Sequence, residues 1–245
     1  MTVLKRWINR ALGVTGYQFR RTPSLGRDIV LGKYRWLQER KIATVLDIGA
    51  NVGQFAETIR QILPEAMIYS FEPLRSCFEV LAAKASSLMP IECFSFALGN
   101  KEAVTVMNRS DFSPSSSFLS MGKRHRDAFP QTMHFVEERV TVRLLDSVVP
   151  DLVLKPAILA KVDVQGYELN VLAGAEKTLP LIDVLVVETS FVELYEGQPL
   201  FHEVYRFLHD HHFLYHGSLD QIQDPSNGAI LQADSIFLNT RKQSE

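Results

Sequence analysis

One stretch constrains the fold more than any other: at residues 44–53, Thr-Val-Leu-Asp-Ile-Gly-Ala-Asn-Val-Gly, a short apolar segment turns into a helix. Its apolar residues suit a strand that is buried on both faces, as in a parallel sheet. Gly49 and Gly53 allow a tight turn and a close approach of the backbone to a ligand, and Asp47 places a carboxylate near the strand end. The stretch therefore predicts a strand–turn–helix unit with a binding crevice above it.

The residues after this turn indicate a nucleoside ligand. Asn51 is predicted to cap the helix 52–63, whose first N–H groups face the crevice and suit an anionic or polar group. A second predicted strand, 67–71, ends in Glu72, and an acidic residue about 20 positions beyond the turn can accept both hydrogen bonds of a ribose diol. Gly-x-Asn-x-Gly is not the dinucleotide fingerprint. The two segments therefore predict a nucleoside cofactor without separating NAD from S-adenosylmethionine.

Strands and helices alternate from residue 42 onward, which predicts a parallel sheet with right-handed crossovers. The predicted strands are 43–48, 67–71, 91–96, 103–109, 139–146, 156–163 and 181–188, and the predicted helices are 52–63, 74–86, 168–175 and 200–211. The last two apolar segments, 213–216 and 234–239, are interpreted as a closing hairpin with an antiparallel strand. The fold class is thus α/β, with a doubly wound, mainly parallel seven-stranded sheet of the Rossmann-like kind, an arrangement more typical of methyltransferases than of NAD enzymes.

Charge divides the 245 residues into two parts. Residues 1–41 hold ten Lys or Arg and two Asp or Glu, a net charge of +8, whereas the remainder carries −10. We predict a basic helical N-terminal extension over 1–40 and one catalytic domain over 41–245. Four apolar residues in the first twelve share one helix face, which is typical of a helix that lies on a membrane surface, packs on the domain or mediates a homodimer.

Several functional classes are disfavoured by composition. The acidic body of the domain and the lack of an Asn/Asp-Pro-Pro-aromatic segment argue against a nucleic-acid partner. Cys77 and Cys93 form neither a disulfide framework nor a metal-site pattern, and no metal is predicted. No apolar run has the length of a transmembrane helix, and charges interrupt residues 1–10, unlike a signal peptide. We therefore expect a cytoplasmic protein, with membrane association limited to peripheral contact.

Four segments resemble the FkbM family of S-adenosylmethionine-dependent O-methyltransferases. They are Val-Leu-Asp-Ile-Gly-Ala-Asn-Val-Gly-Gln-Phe at 45–55, Phe-Glu-Pro at 71–73, Ala-Leu-Gly-Asn at 97–100 and Lys-Val-Asp-Val-Gln-Gly-Tyr-Glu at 161–168. The resemblance covers roughly residues 43–240, and its last segment is the most specific. Gln165 departs from the Glu that the family usually carries, so any activation of the acceptor by that Glu must be achieved otherwise here.

The resemblance implies a set of residues around the cofactor: Asp47, Gly49, Asn51, Gly53, Glu72, Ala97, Leu98 and Asp163. In this arrangement the glycine turn lies against the carboxylate and amine of S-adenosylmethionine, with Asp47 nearby. Glu72 holds the ribose hydroxyls, and the pair 97–98 flanks the adenine. Asp163 faces the methyl group and the acceptor.

For catalysis, Asp163 is the first candidate for the base or orienting group, because it ends the central strand at the crevice. The alternative is that Asp163 caps the helix that begins near Glu168. Glu188 is predicted at the next strand end and can serve instead. Lys161 shares the strand face of Asp163 and is expected to pair with a carboxylate. A divalent metal held by both acids and a histidine is a further alternative, without a spacing motif to support it.

Together these patterns predict an S-adenosylmethionine-dependent O-methyltransferase that acts on a hydroxyl of a small molecule, a sugar or glycan, or a lipid-linked acceptor. The alternatives are a non-catalytic S-adenosylmethionine-binding protein and a NAD-binding oxidoreductase, although the latter lacks its glycine pattern. The polar connection 110–135 is interpreted as a lid or substrate loop, because connections of this length inside a domain are usually functional or disordered. It shapes the acceptor pocket, so the sequence does not identify the acceptor.

Overall fold

The computed structural model describes residues 31–110, 116–120, 122, 135–224 and 227–242. The predicted first N-terminal helix and most of the 110–135 connection lie outside these residues. The strands are β1 Thr44–Ile48, β2 Met67–Phe71, β3 Ile91–Phe94, β4 Ala97–Leu98, β5 Ala103–Ser110, β6 Phe135–Arg143, β7 Ile158–Val162, β8 Val184–Ser190, β9 Phe213–Gln223 and β10 Ile230–Asn239. The helices are α1 Gln54–Ile62, α2 Arg75–Lys84, α3 Leu145–Val148, α4 Glu168–Ala173 and α5 Phe201–Asp210.

Seven of these strands form one sheet in the order β3-β2-β1-β7-β8-β10-β9. Its strands β3, β2, β1, β7 and β8 pair in parallel, whereas β10 runs antiparallel to both β8 and β9. All five residues of β1 and of β7 are buried, as expected for central strands covered on both faces. The predicted fold class, a mainly parallel seven-stranded sheet with an antiparallel hairpin at the C-terminal end, is confirmed.

Alternate residues of the central strands enter two core layers, one on each face of the sheet. Leu46 of β1 and Ala160 of β7 pack in the layer that is covered by α4 and α5. Val45 of β1 packs in the opposite layer, covered by α1. Tyr34 and Leu37 join this second layer, so the described part of the predicted N-terminal extension packs against the sheet.

A second, three-stranded sheet departs from the prediction. The segment predicted as one strand over 91–96 leaves the main sheet after Phe94, and β4 instead pairs with β6, which also pairs along the length of β5. The strand predicted at 139–146 begins earlier, at Phe135, and ends at Arg143. Most residues of 135–139 are exposed, so hydrophobic alternation gives no signal there and only backbone pairing defines the strand.

The start of α1 is the second departure. Its N-cap is Gly53, at a left-handed φ of 87°, so the prediction that Asn51 caps this helix is wrong. Asn51 itself lies in the left-handed region, with φ 49°. The N–H of Gly53 donates to the carbonyl of Ala50 at 2.9 Å. The tight turn therefore delays the helix by two residues.

Two simpler expectations concern the cysteines and membrane-spanning segments. Cys77 is buried on α2 and Cys93 is half-buried on β3, both as free thiols. Within the part of the chain that the structure describes, no helix combines the length and apolar character that crossing a bilayer requires.

Candidate active site

The carboxyl ends of β1, β2 and β7 meet at one edge of the sheet. Because these strands are parallel, Ile48 at the end of β1 lies opposite Phe71 on one side and Val162 on the other. The residues that follow these three, namely Gly49, Glu72 and Asp163, are therefore neighbours. Three residues predicted from separate segments are thus brought to one place.

Gly49 is packed directly against the backbone of Asp163. A Cβ atom at Gly49 would lie 1.9 Å from the carbonyl oxygen of Asp163, and its φ of 84° is in the left-handed region. The N–H of Asp163 also donates to the carbonyl of Ile48 at 3.0 Å. Only glycine allows the two strand ends to approach this closely.

Glu72 is a buried carboxyl that ties the glycine turn to the end of β2. Its Oε2 accepts a hydrogen bond from the N–H of Asn51 and its Oε1 accepts one from the N–H of Leu74, both at 2.8 Å. Burial raises the pKa of Glu72 to about 7, although the two N–H donors oppose this shift. Each oxygen keeps a second lone pair. The carboxyl can therefore hold the loop and still accept hydrogen bonds from a diol.

The predicted adenine-flanking pair, Ala97 and Leu98, forms the short strand β4 and is buried. The side chain of Leu98 packs in the core layer beneath α4 and α5. The next residue, Gly99, faces the ring of Tyr167, which in turn packs on Phe118 at a centroid distance of 4.8 Å. The end of β4 is therefore packed beside the aromatic pair Tyr167 and Phe118.

Lys161 forms a buried ion pair with Asp163. The Lys161 Nζ lies 2.6 Å from Asp163 Oδ2, and the side chains are 10% and 28% exposed. Burial alone lowers the pKa of Lys161, but the carboxylates of Asp163, Asp234 and Asp47 outweigh it and raise that pKa. Burial likewise raises the pKa of Asp163, but the ammonium group and hydrogen bonds lower it below its usual value. Asp163 is therefore an ionised carboxylate with access to solvent.

Glu188 lies within β8, two residues before the strand ends, so its predicted position at a strand end is wrong. The strand continues because β10 pairs with it, and Asp234 of β10 stands directly opposite Glu188. Burial, followed by repulsion from Asp163 and Glu168, raises the pKa of Glu188 well above its usual value. This environment favours the protonated form of Glu188, and a side-chain hydrogen bond between Glu188 and Asp163 lowers the pKa of Asp163.

Gln165 connects these two carboxyl groups. Its Nε2 donates to Asp163 Oδ1 at 2.9 Å and to Glu188 Oε2 at 2.6 Å. The hydroxyl of Tyr195 donates to Gln165 Oε1 at 2.9 Å, and Gln232 Nε2 donates to Glu188 Oε2 at 3.1 Å. Besides the ammonium group of Lys161, the acidic pair therefore has the neutral amides of Gln165 and Gln232 as hydrogen-bond donors.

The remaining predicted residue, Asp47, lies beside Lys161 in the register of β1 and β7. Its carboxyl is buried and accepts a hydrogen bond from the hydroxyl of Ser70 at 3.2 Å. Burial raises its pKa to about 6, and attraction to Lys161 opposes that shift. Asp47 is therefore buried within β1, where it contributes to balancing the charge of Lys161.

The alternative role of Asp163 as a helix cap is wrong. Helix α4 has Tyr167 as its N-cap, without a hydrogen bond from a capping side chain. Glu168 instead satisfies the turn, since its Oε1 accepts from the N–H groups of Gly166 at 3.0 Å and Val164 at 3.3 Å. The carboxylate of Asp163 is thus left for other partners.

Sequence reasoning missed Tyr195, Gln232 and Asp234. The first two lie in segments far from the motifs, and no spacing connects them to Asp163. The sequence could have pointed to Asp234, because it is an acidic residue at the start of an apolar segment. Among the described residues, no group of three or more His, Cys, Asp or Glu side chains is arranged to hold a metal ion.

Comparison with known proteins identifies the family. Residues 47–215 match the model of the methyltransferase FkbM domain, and this span is more than half of the chain. The chain belongs to the FkbM methyltransferase family. This FkbM methyltransferase is therefore a methylating enzyme with S-adenosylmethionine as its cofactor, and the oxidoreductase and non-catalytic alternatives are wrong.

Individual relatives are more distant. The chain is 29% identical to the 2-O-methyltransferase NoeI of Sinorhizobium fredii, over 66% of this chain and 69% of NoeI. It is 28% identical to the methyltransferase sdnD of Sordaria araneosa, over 59% of this chain and 65% of sdnD. A crystal structure of an FkbM methyltransferase from Methylobacillus flagellatus has the same fold, with a TM-score of 0.50 at 11% identity, over 80% of this chain and 43% of that one.

The raised pKa of Glu168 predicts that the stability of the protein depends on pH. Burial raises that pKa from 4.5 to about 7 in the folded enzyme. Between these two values the folded state holds a proton that the unfolded state has lost. The contribution of Glu168 to the free energy of unfolding is therefore fully present below pH 4.5 and is lost as the pH rises to about 7. Relative to Glu168→Gln, the wild-type free energy of unfolding should fall by ~3 kcal/mol across this window, at about 1.4 kcal/mol per pH unit.

Urea unfolding from pH 4 to pH 8 measures this difference. Glu176→Gln changes an exposed acid in the neighbouring segment and serves as the control, with no pH-dependent difference expected. Parallel curves for wild type and Glu168→Gln would contradict the raised pKa.

Proposed function

We propose that this enzyme transfers a methyl group from S-adenosylmethionine to a hydroxyl oxygen of a small-molecule or glycan acceptor, with Asp163 as the base. One observation carries the proposal: an ionised, partly exposed carboxylate lies against the glycine turn, at the edge where the strand ends meet. When bound, S-adenosylmethionine supplies an electrophilic methyl group and its own leaving group. The protein has to orient the acceptor and accept its proton.

The residues at the edge fit the cofactor. Gly49 and Gly53 adopt left-handed φ values of 84° and 87°, which keep the turn tight at the strand end, beside the start of α1, where the amino-acid part of the ligand would lie. Glu72 presents a buried carboxyl with unused lone pairs, which suits the two hydroxyls of a ribose. Asn51 lies between them, with its N–H on Glu72. We assign these four residues to cofactor binding, with Ala97 and Leu98 beside the adenine.

Different environments give Asp163 and Glu188 different roles. Asp163 is held ionised by Lys161 and can accept the proton of a hydroxyl, whereas the raised pKa of Glu188 favours its protonated form, which accepts hydrogen bonds from Gln165 and Gln232. The low pKa of Asp163 does not prevent this role, because the hydroxyl becomes strongly acidic as its oxygen gains the methyl group. Lys161 positions Asp163 through the ion pair at 2.6 Å.

One observation favours an oxygen acceptor, and another disfavours nucleic acid as the acceptor. NoeI is named as a 2-O-methyltransferase, and the match to it spans two thirds of this chain. The net charge of −10 beyond residue 41 disfavours phosphate-rich partners such as nucleic acid. A sugar, a glycan or another hydroxylated small molecule is therefore the proposed acceptor class.

Replacement of Asp163 tests the assignment of the base. Asp163→Ala should reduce methyl transfer by about 10²-fold or more, the usual contribution of a general base, while binding of S-adenosylhomocysteine survives. Transfer of radiolabelled methyl groups into a protein-free metabolite extract measures the rate, and calorimetry measures binding. Asp151→Ala, at an exposed acid, is the control. Full activity in Asp163→Ala would remove Asp163 from the mechanism.

Replacement of Glu72 tests the ribose site. Glu72→Gln should weaken binding of S-adenosylhomocysteine by ~1–3 kcal/mol, because one hydrogen bond to a charged acceptor is lost. The exposed neighbour Glu79→Gln should bind normally. Calorimetric affinities that are equal for the two variants would place the ribose elsewhere.

We also propose that the basic N-terminus makes a peripheral contact with anionic membranes, which would bring the enzyme close to lipid-linked acceptors. The support is the local net charge of +8 and the apolar helix face predicted within residues 1–12. In liposome flotation, the charge reversal of Lys5, Arg6 and Arg10 to Glu should abolish binding to vesicles with anionic lipid. The matched control reverses three exposed basic residues of the domain: Lys155, Lys177 and Arg206. Equal flotation of both variants and wild type would end the proposal.

A further inference from the structure

The backbone of Gln165 adopts a conformation that side-chain-bearing residues rarely occupy. Its φ is 54°, and the following Gly166 has φ 96°. Left-handed conformations in residues other than glycine cost free energy and persist where the surrounding structure imposes them. In this turn the conformation directs the Gln165 side chain to the acidic pair rather than away from it.

Two distant segments hold Gln165 in this position. The hydroxyl of Ser117 donates to the Gln165 carbonyl at 2.5 Å, and Ser117 is in turn paired with Asn108 of β5 through backbone hydrogen bonds. From the other side, the fully buried Tyr195 donates its hydroxyl to Gln165 Oε1. Hydrogen bonds therefore hold both the main chain and the side chain of Gln165 in place.

Three partners together define which way the Gln165 amide points: Asp163, Glu188 and Tyr195. A phenol hydroxyl that donates to Oε1 leaves both N–H bonds of Nε2 directed to the carboxyl groups of Asp163 and Glu188. The flipped amide would place its oxygen against two acids, one of which is ionised. The carboxylate of Asp163 thus favours the orientation in which the amide donates to both acids, and the hydroxyl of Tyr195 completes it by donating to Oε1.

We propose that Gln165, hydrogen-bonded to Tyr195, is a positioning residue whose amide bridges Asp163 and Glu188 and stabilises the ionised carboxylate of Asp163. The proposal rests on the proposed role of Asp163 as the base. A carboxylate at position 165 would add a second negative charge beside Asp163, whereas the amide of Gln165 is neutral. Removal of the amide should therefore shift the protonation of Asp163 itself.

The other charged groups around the pair do not replace this function. Those that face Glu188 come from β7, the segment after it, α4 and β10: Lys161, Asp163, Glu168 and Asp234. Three of these four are acidic, and the ammonium of Lys161 is already within 2.6 Å of Asp163. Hydrogen bonds from Gln165 favour the ionised form of Asp163, which agrees with the lowered pKa of that carboxyl.

Carbon-13 NMR of side-chain carboxyl carbons in the full-length protein tests the proposal directly. The Asp163 signal is identified by its loss in Asp163→Asn and followed from pH 2.5 to pH 8, with and without S-adenosylhomocysteine. In Gln165→Met, which keeps the side-chain length without the amide, the Asp163 midpoint should rise by about one pH unit. Tyr195→Phe, which removes one oxygen, should shift it in the same direction by a smaller amount.

Gln61→Glu, at an exposed position near the end of α1, is the control and should leave the Asp163 midpoint unchanged. A purely packing role for Gln165 would lower the melting temperature without moving this midpoint. Midpoints within about 0.2 pH unit of wild type in both Gln165→Met and Tyr195→Phe would overturn the proposal. Calorimetry with S-adenosylhomocysteine on the same samples tests the cofactor site separately, so a failure of the proposed function is distinguishable from a failure of this inference.

Discussion

The buried ammonium group of Lys161 is the interaction on which the rest of the site depends. Burying a charge costs free energy unless partners compensate it, and here the carboxyls of Asp47, Asp163 and Asp234 do so from three strands. The acidic groups outnumber the ammonium, and burial raises the pKa of several of them. Lys161 is closest to Asp163 and lowers the pKa of that carboxyl, whereas burial and the neighbouring acids raise the pKa of Glu188. One cation thus gives two chemically similar side chains opposite pKa shifts.

The sheet brings these groups together because its strands end at one edge and glycine lets them approach. Gly49 contacts the backbone of Asp163, and Glu72 bridges the turn and the second strand. A small second sheet adds the link from Asn108 through Ser117 to Gln165. Close backbone packing and hydrogen bonds from the Glu72 and Ser117 side chains therefore connect the proposed cofactor side to the proposed acceptor side.

The strongest sequence predictions concerned residues whose positions follow from periodicity. Glu72 and Asp163 follow apolar runs, and parallel strands place such residues at one edge of the sheet. Predictions that depended on local capping or on strand ends were weaker. Gly53 and not Asn51 is the N-cap of α1, since the turn is tighter than the sequence pattern suggested. Glu188 lies inside its strand because pairing with β10 extends that strand to Ser190.

The sequence by itself determined the α/β architecture and named the acids at the crevice, because hydrophobic period and glycine spacing are local properties of the chain. Only the tertiary structure decided which of those acids are charged and what holds them. Protonation depends on burial and on distances of a few ångströms between groups far apart in sequence, such as Gln165, Tyr195 and Glu188. No pattern along the chain encodes those distances, since they arise when loops and strands pack around a shared cluster of charge.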